Sequence, residues 1–222
     1  VKVLITSNFH IYEKKSIDDM IICKLCDFIT SYPLIWYHYT QKIINDKKII
    51  IYHKNYITFS LLKISNSLRQ TIDKLVDNLL KMNMIKKVTK DSELISLTFY
   101  DEEVALFLSD NRIWLCYLTY YAFKQLLNDQ IYLFPILKNN NIIFNLDLFF
   151  IHRNIGYGVI CENYNNIDWH NFVKNNIFLI LITLKNSKNN LPIVQYKYNF
   201  FVFKQDLAMI LRELDLLKMF YF

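Results

Sequence analysis

Glycine is almost missing from this chain: 2 residues in 222, beside 3 prolines. That excludes a glycine-rich phosphate loop or a dinucleotide fingerprint, since each needs several glycines where backbone meets phosphate. Turns must be built from Asn and Lys instead. No apolar run reaches the roughly 18–20 residues that a spanning helix needs. The longest candidates, Ile177–Leu184 and Ile113–Phe123, fall well short of it. Val1–Thr6 is apolar without the layout of a secretory signal and reads as a first strand. Cysteine is sparse, 4 in all, and unpaired in pattern. Cys23 and Cys26 make a lone CxxC, but a structural zinc site needs a second close pair, and Cys116 and Cys161 stand far apart. The pair sits inside the apolar pattern of Ile17, Met20, Ile21, Leu25 and Phe28, so it reads as two small side chains a helical turn apart. Free thiols fit a reducing compartment.

What is abundant is apolar and aromatic. Hydrophobic residues make up 53% and aromatics 16%, enough for a sizeable core. Ile, Asn, Lys, Tyr and Phe have AT-rich codons, so the bias marks a genome before it marks a function. The net charge is +6 and unevenly spread. Residues 1–90 hold 15 Lys and Arg against 7 Asp and Glu; residues 91–222 hold 11 against 13. Such asymmetry points to a polyanion held by the first half, with a solvated lysine-rich surface as the plain alternative.

Periodicity predicts mixed α and β structure. Residues 16–30 read as a helix capped by Ser16, and 48–52 and 56–59 as strands. The clearest helix spans 65–82, with Leu68, Ile72, Leu75, Val76, Leu79 and Leu80 on one face and Ser65 or Ser67 as cap. Asn83 ends it, because Asn tolerates the left-handed turn. Met84–Val88 and Glu93–Tyr100 follow as strands. In 113–127 the period is blurred, and helix and strand both stay open. Residues 142–151 read as extended, 168–174 as a short helix, 177–184 as a buried strand, 193–203 as a strand and 204–219 as an amphipathic helix. Both glycines fall in one segment, Gly156-Tyr157-Gly158, and imply a need there for backbone freedom.

A catalytic constellation is not visible. The five histidines are scattered, and no HExxH, GxSxG or Cys–His arrangement occurs. Asp18/Asp19 and Glu102/Glu103 suit a helix start and a surface turn. Two features suit nucleic acid. Residues 60–90 join a helix, an Asn turn and lysine-bearing strands in the general shape of a winged helix or an α/β RNA-binding module, and supply Lys63, Arg69, Lys86, Lys87 and Lys90 for phosphates. Residues 152–165 set aromatic and Asn side chains beside basic ones, as in sites that read folded RNA.

The order of these pieces resembles the bacterial-type small-subunit ribosomal protein family numbered eight, in a diverged organelle form. Asp19-Met20-Ile21 is similar to the family's Asp-Met-Leu in a first helix. Ile57–Ser60, the 65–82 helix, Asn83-Met84-Ile85 and Leu94–Tyr100 follow in the family's order. Gly156-Tyr157-Gly158-Val159-Ile160 is similar to its Gly-Leu-Gly-Ile-Ala, with a short helix and an apolar strand after it. The chain departs where the family has Ser-Thr-Ser-Lys-Gly: Cys161-Glu162-Asn163-Tyr164-Asn165 stands there instead. The resemblance implies two small α/β domains, 1–100 and 142–185, with an insertion at 101–141 and a strand–helix extension at 186–222. It implies contacts to small-subunit ribosomal RNA from Lys24, Lys63, Arg69, Lys86, Lys87, Arg153, Asn154, Gly156, Tyr157, Gly158, Asn163, Tyr164 and Asn165. The aromatic insertion and extension would pack on neighbouring ribosomal proteins.

The expectation is therefore a non-enzymatic structural constituent of the mitochondrial small ribosomal subunit, without cofactor, metal, membrane or small-molecule substrate. The alternatives are a winged-helix DNA-binding replication or transcription protein using 65–82 as its groove helix and 86–95 as its wing, an accessory subunit of an organelle or viral complex, and a hidden nuclease using His152 and His170.

Overall fold

The computed structural model describes residues 9–13, 18–62, 64–138, 142–153, 155–162, 169–175, 177–185 and 192–221. The chain is mixed α and β, as expected, and divides into two units: Asp19–Trp114, and Val1–Asp18 with Leu115–Phe222.

The 19–114 unit begins with helices α1 (Asp19–Ser31) and α2 (Pro33–Tyr39), split at Pro33, which opens the second helix at a position where its missing N–H costs nothing. A π-helical turn, Thr40–Ile44, continues α2. Strands β2 (Ile50–His53) and β3 (Tyr56–Ser60) form a hairpin, helix α3 runs Asn66–Lys81, and strands β4 (Ile85–Lys90) and β5 (Leu94–Phe99) precede α4 (Glu102–Ser109); β1 belongs to the other unit. Ser65 caps α3 by accepting from the Leu68 N–H at 3.3 Å. Asn83, at φ 57°, closes it: its N–H donates to Leu80 O, and that of Met84 to Leu79 O. These are the two bonds of a Schellman motif built on Asn in place of glycine.

The sheet is antiparallel in the order β2-β3-β5-β4. One face is buried: Ile57, Phe59, Ile95, Leu97 and Phe99 are each at most 1% exposed. Beneath it Trp36 sits edge-on to Trp114 at 5.4 Å and beside Tyr39 and Phe107 at 5.3 and 5.6 Å. The Tyr39 hydroxyl donates to Leu108 O, and burial pushes that phenol above its ordinary pKa.

The second unit holds a five-stranded mixed sheet, β12-β11-β10-β9-β6, and a three-stranded antiparallel sheet, β1-β7-β8. The strands are β1 (His10–Glu13), β6 (Ile131–Leu133), β7 (Pro135–Lys138), β8 (Ile143–Asn145), β9 (Leu148–His152), β10 (Ile155–Cys161), β11 (Ile177–Thr183) and β12 (Ile193–Gln195). Strands β10, β11 and β12 are parallel, with α6 (Trp169–Lys174) in the first crossover. Every residue of β10 is buried, as befits a central strand covered on both faces. On one face Phe150 stacks on Tyr157 at 5.2 Å and meets Phe123 of α5 (Asn111–Leu126) at 4.8 Å. On the other, Ile160, Leu179 and Leu181 pack with Leu137, Phe144 and Phe172. Helix α7 (Phe200–Tyr221) packs against β12.

Several expectations are corrected here. The unit boundary falls inside α5, so neither 101–141 nor 186–222 is an appendage: α4 belongs to the first unit, and β6, β7, β12 and α7 to the second. The strand expected over 193–203 stops at Gln195, and the helix already begins at Phe200. The aromatics of 113–150 fill cores within this chain, with Trp114, Tyr117, Phe123 and Phe150 nearly or fully buried. The expected strand at Val1–Thr6 lies outside the described residues.

The glycines are corrected too. Neither has a positive φ, so unusual backbone freedom is not what Gly158 supplies. A Cβ on Gly158 would stand 2.8 Å from Leu179 Cδ2 and 3.0 Å from Leu146 Cδ2, and glycine there lets two leucines close over the strand. Gly158→Ala forces both leucines to shift, and is expected to cost about 1–3 kcal/mol. Urea unfolding checks it, with an unchanged slope and a lower midpoint as the expected result.

Candidate nucleic-acid interface

The sheet of the 19–114 unit has one face without a hydrophobic cover, and strand periodicity decides what stands on it. Buried Ile57 and Leu97 are register partners, so their chain neighbours point the other way. The register places His53 opposite Tyr56, Tyr56 opposite Thr98 and Thr98 opposite Lys87, one row across all four strands. The next row is Ile51, Thr58, Ser96 and Thr89, in which the Thr58 and Ser96 hydroxyls bond at 2.9 Å. His53 and Tyr56 stack at 5.0 Å with 9° between ring planes, both exposed. Tyr100, just beyond β5 at the same end, is 71% exposed.

The charges sort by end and by face. A bulge between Ile85 and Lys87 lets Lys86 and Lys87 follow one another on the exposed edge of the sheet. Lys90 pairs in register with buried Ile95 and turns to the helix side, where its ammonium meets Asp73 of α3 at 2.8 Å. At the β4–β5 turn the Asp91 carboxylate accepts from the Glu93 and Leu94 N–H groups, each at 2.7 Å. The turn is thus tipped by two exposed acids, Asp91 and Glu93. Cations and rings gather at the opposite end, with Lys54 in the β2–β3 turn, 3.9 Å from Glu102. Tyr52, on the helix side of β2, has its phenol raised by partial burial and then by Glu102.

The residues expected to bind RNA fall in both units. Lys24 is exposed on α1, Arg69 half-buried on α3, and Lys86 and Lys87 exposed on β4. Arg153 is exposed in the second unit, at φ 50° between β9 and β10. Gly156, Tyr157 and Gly158 are inside the buried central strand, so the close approach to RNA expected of them is corrected: sheet neighbours occupy the space on both sides. Lys63, Asn154, Asn163, Tyr164 and Asn165 lie outside the described residues. Sequence reading missed His53, Tyr56 and Tyr100. The strict alternation of 56–60, apolar at 57 and 59 only, was the available signal.

The second unit places carboxylates at the carboxyl end of its parallel strands, where open α/β sheets commonly bind ligands. Asp147 is fully buried just before β9, and its Oδ2 accepts from Cys161 N–H at 2.7 Å. Its own N–H donates to Val159 O, and its carbonyl accepts from Phe134 N–H. Glu162, at φ 59°, follows β10, and its Oε1 accepts from the Thr183 hydroxyl at 3.1 Å and from the Leu184 N–H. Both carboxylates thus tie strand ends together. His152 Nδ1 lies 2.6 Å from Asp129 Oδ2, joining the end of β9 to the loop before β6. The His170 side chain lies outside the description. Among the described residues no group of three or more His, Cys, Asp or Glu could hold a metal ion, and no helix is long and apolar enough to cross a membrane.

No family model and no curated protein sequence matches the chain. Solved structures do match in fold. The chain is similar to protein VC1899 from Vibrio cholerae, with a TM-score of 0.53 at 12% identity over 91% of this chain and 58% of that one. It is similar to Can2 from Sulfobacillus thermosulfidooxidans, solved in complex with cyclic tetra-adenylate, with a TM-score of 0.51 at 11% identity over 90% of this chain and 58% of that one. At such identities the likeness is one of fold alone. The chain spans well under two thirds of either protein.

The cysteines give a direct check on the first unit. None of the four is in a disulfide; Cys23 is exposed on α1, while Cys26 is buried. Burial, then Cys23 and Asp27, push the Cys26 thiol well above its ordinary value, so no thiolate forms there near neutral pH. A thiol reagent at pH 8 is expected to modify Cys23 rapidly and Cys26 only on unfolding. Equal rates at the two, read by mass spectrometry of the α1 peptide, would contradict the packing of that helix.

Proposed function

We propose that this chain is a non-catalytic nucleic-acid-binding protein, and that its 19–114 unit carries the binding surface. The observation that supports it most is one end of the sheet, where Lys86 and Lys87 are exposed side by side on β4 and the exposed rings of His53 and Tyr56 stand in the same row on β2 and β3. Ammonium groups on a rigid edge neutralise phosphates and release counterions, which is the main source of sequence-independent affinity. Lysines on an edge strand also block sheet-to-sheet pairing. That role needs no rings in the same row.

A winged helix that drives its wing into a groove is less well supported. Asp91 and Glu93 at the tip would meet phosphate with like charge, and Lys90 is already engaged by Asp73. Placement in a mitochondrial small ribosomal subunit, with ribosomal RNA and ribosomal proteins as partners, stays a proposal of the same binding class. It loses one support, because the strand that would touch RNA is buried. The carboxylates of the second unit favour a structural over a catalytic reading, since Asp147 and Glu162 accept backbone hydrogen bonds.

The test is binding of a labelled nucleic acid followed by fluorescence anisotropy at rising salt. Affinity is expected to fall roughly threefold to tenfold between 50 and 200 mM salt, for a surface that neutralises one or two phosphates. Reversing both charges, Lys86→Glu with Lys87→Glu, is expected to weaken binding at least tenfold and flatten the salt dependence. Salt-independent binding, or an unchanged affinity in the double variant, would overturn the assignment of this surface.

A further inference from the structure

We infer that the open sheet face of the 19–114 unit takes a single strand of nucleic acid, with bases stacked on His53, Tyr56 and Tyr100 and phosphates held by Lys86 and Lys87. The inference rests on the proposed nucleic-acid reading and names its substrate class.

Three properties of the face carry it. The first is relief. Beside the rings of His53 and Tyr56 the face carries the short hydroxyl side chains of Thr58, Ser96, Thr98 and Thr89, with exposed Ile51 at the β2 edge. The two rings are nearly parallel, at 9°, and stacked on each other. A base added to that stack continues it, and every base has a face to offer, so the site tolerates sequence. The second is the sign and place of charge. Lys87 ends the same row as the rings, Lys86 is its chain neighbour on the open edge, and the acids of the β4–β5 turn lie at the far end. A strand laid along the row meets cations with its backbone and rings with its bases. The third is access. Bases in a duplex are paired and stacked, and their faces cannot reach rings on a sheet. The acidic turn further opposes the second phosphate backbone that a duplex would bring.

Exposed Tyr and His residues also occur on sheets that bind nothing, as ordinary cross-strand pairs. What separates the two readings is a preference between strands. The experiment is anisotropy with a labelled twelve-nucleotide oligothymidylate, and with a mixed-sequence duplex of equal length, on the full chain. The native chain is expected to bind the single strand at least tenfold more tightly than the duplex at equal salt. His53→Ala with Tyr56→Ala is expected to lose roughly tenfold to hundredfold on the single strand while leaving duplex affinity unchanged. Tyr56→Phe, which keeps the ring and loses only the hydroxyl, is expected to bind as the native chain does. Single-strand affinity unchanged in the double alanine variant, or a native preference for duplex, overturns the inference and leaves the Lys86/Lys87 surface standing. Absence of binding to both probes at low salt overturns that surface as well. The native chain's preference needs no variant, so a double variant that fails to fold does not remove the test.

Discussion

The 19–114 unit depends on one constraint: in an antiparallel sheet, burying one face fixes the other. Ile57, Phe59, Ile95, Leu97 and Phe99 must all meet the helices, and their combined transfer from water is worth on the order of 10 kcal/mol. A slip by one residue would send all of them to solvent. The register is therefore pinned from the apolar side. His53, Tyr56, Thr98 and Lys87 line up in a row because the core requires it. Their arrangement on the open face costs the fold nothing further, so the residue types there are free to serve recognition.

The same logic explains why the two halves of the protein differ. In the second unit the central strands are covered on both faces, and no open sheet face remains around β10. Two carboxylates of that unit are engaged by donors. Asp147 binds a backbone N–H of β10, and Glu162 clamps the ends of β10 and β11. A buried carboxylate must be met by donors of this kind, since leaving one unpaired would cost several kcal/mol. The paired glycines belong to this setting, where Gly158 makes room for Leu146 and Leu179.

Much of the fold was legible in the sequence where one face of an element is wet. Helix α3 shows its period and its Asn83 stop; of the two serines open as its cap the structure uses Ser65, and Leu80, expected on the apolar face, is exposed. Helix α5 was ambiguous for a physical reason: from Trp114 to Tyr120 it is buried on every side, and a helix without a polar face carries no period. The strands β6, β7 and β12, each of three or four residues, are too short to show alternation. The candidate surface was half visible. Lys86 and Lys87 announce themselves as a pair, whereas His53 and Tyr56 become neighbours only through the turn at Lys54 and Asn55. The glycine pair misled because a rare residue suggests an unusual backbone, when close packing needs it as much.

Photo-crosslinking tests the central claim most directly. A single-stranded oligonucleotide carrying 4-thiothymidine, irradiated with the native chain and mapped by mass spectrometry, is predicted to attach to the peptides containing His53–Tyr56 and Thr98–Tyr100. Crosslinks confined to the segment around Arg153, or spread without preference over both units, would contradict the account.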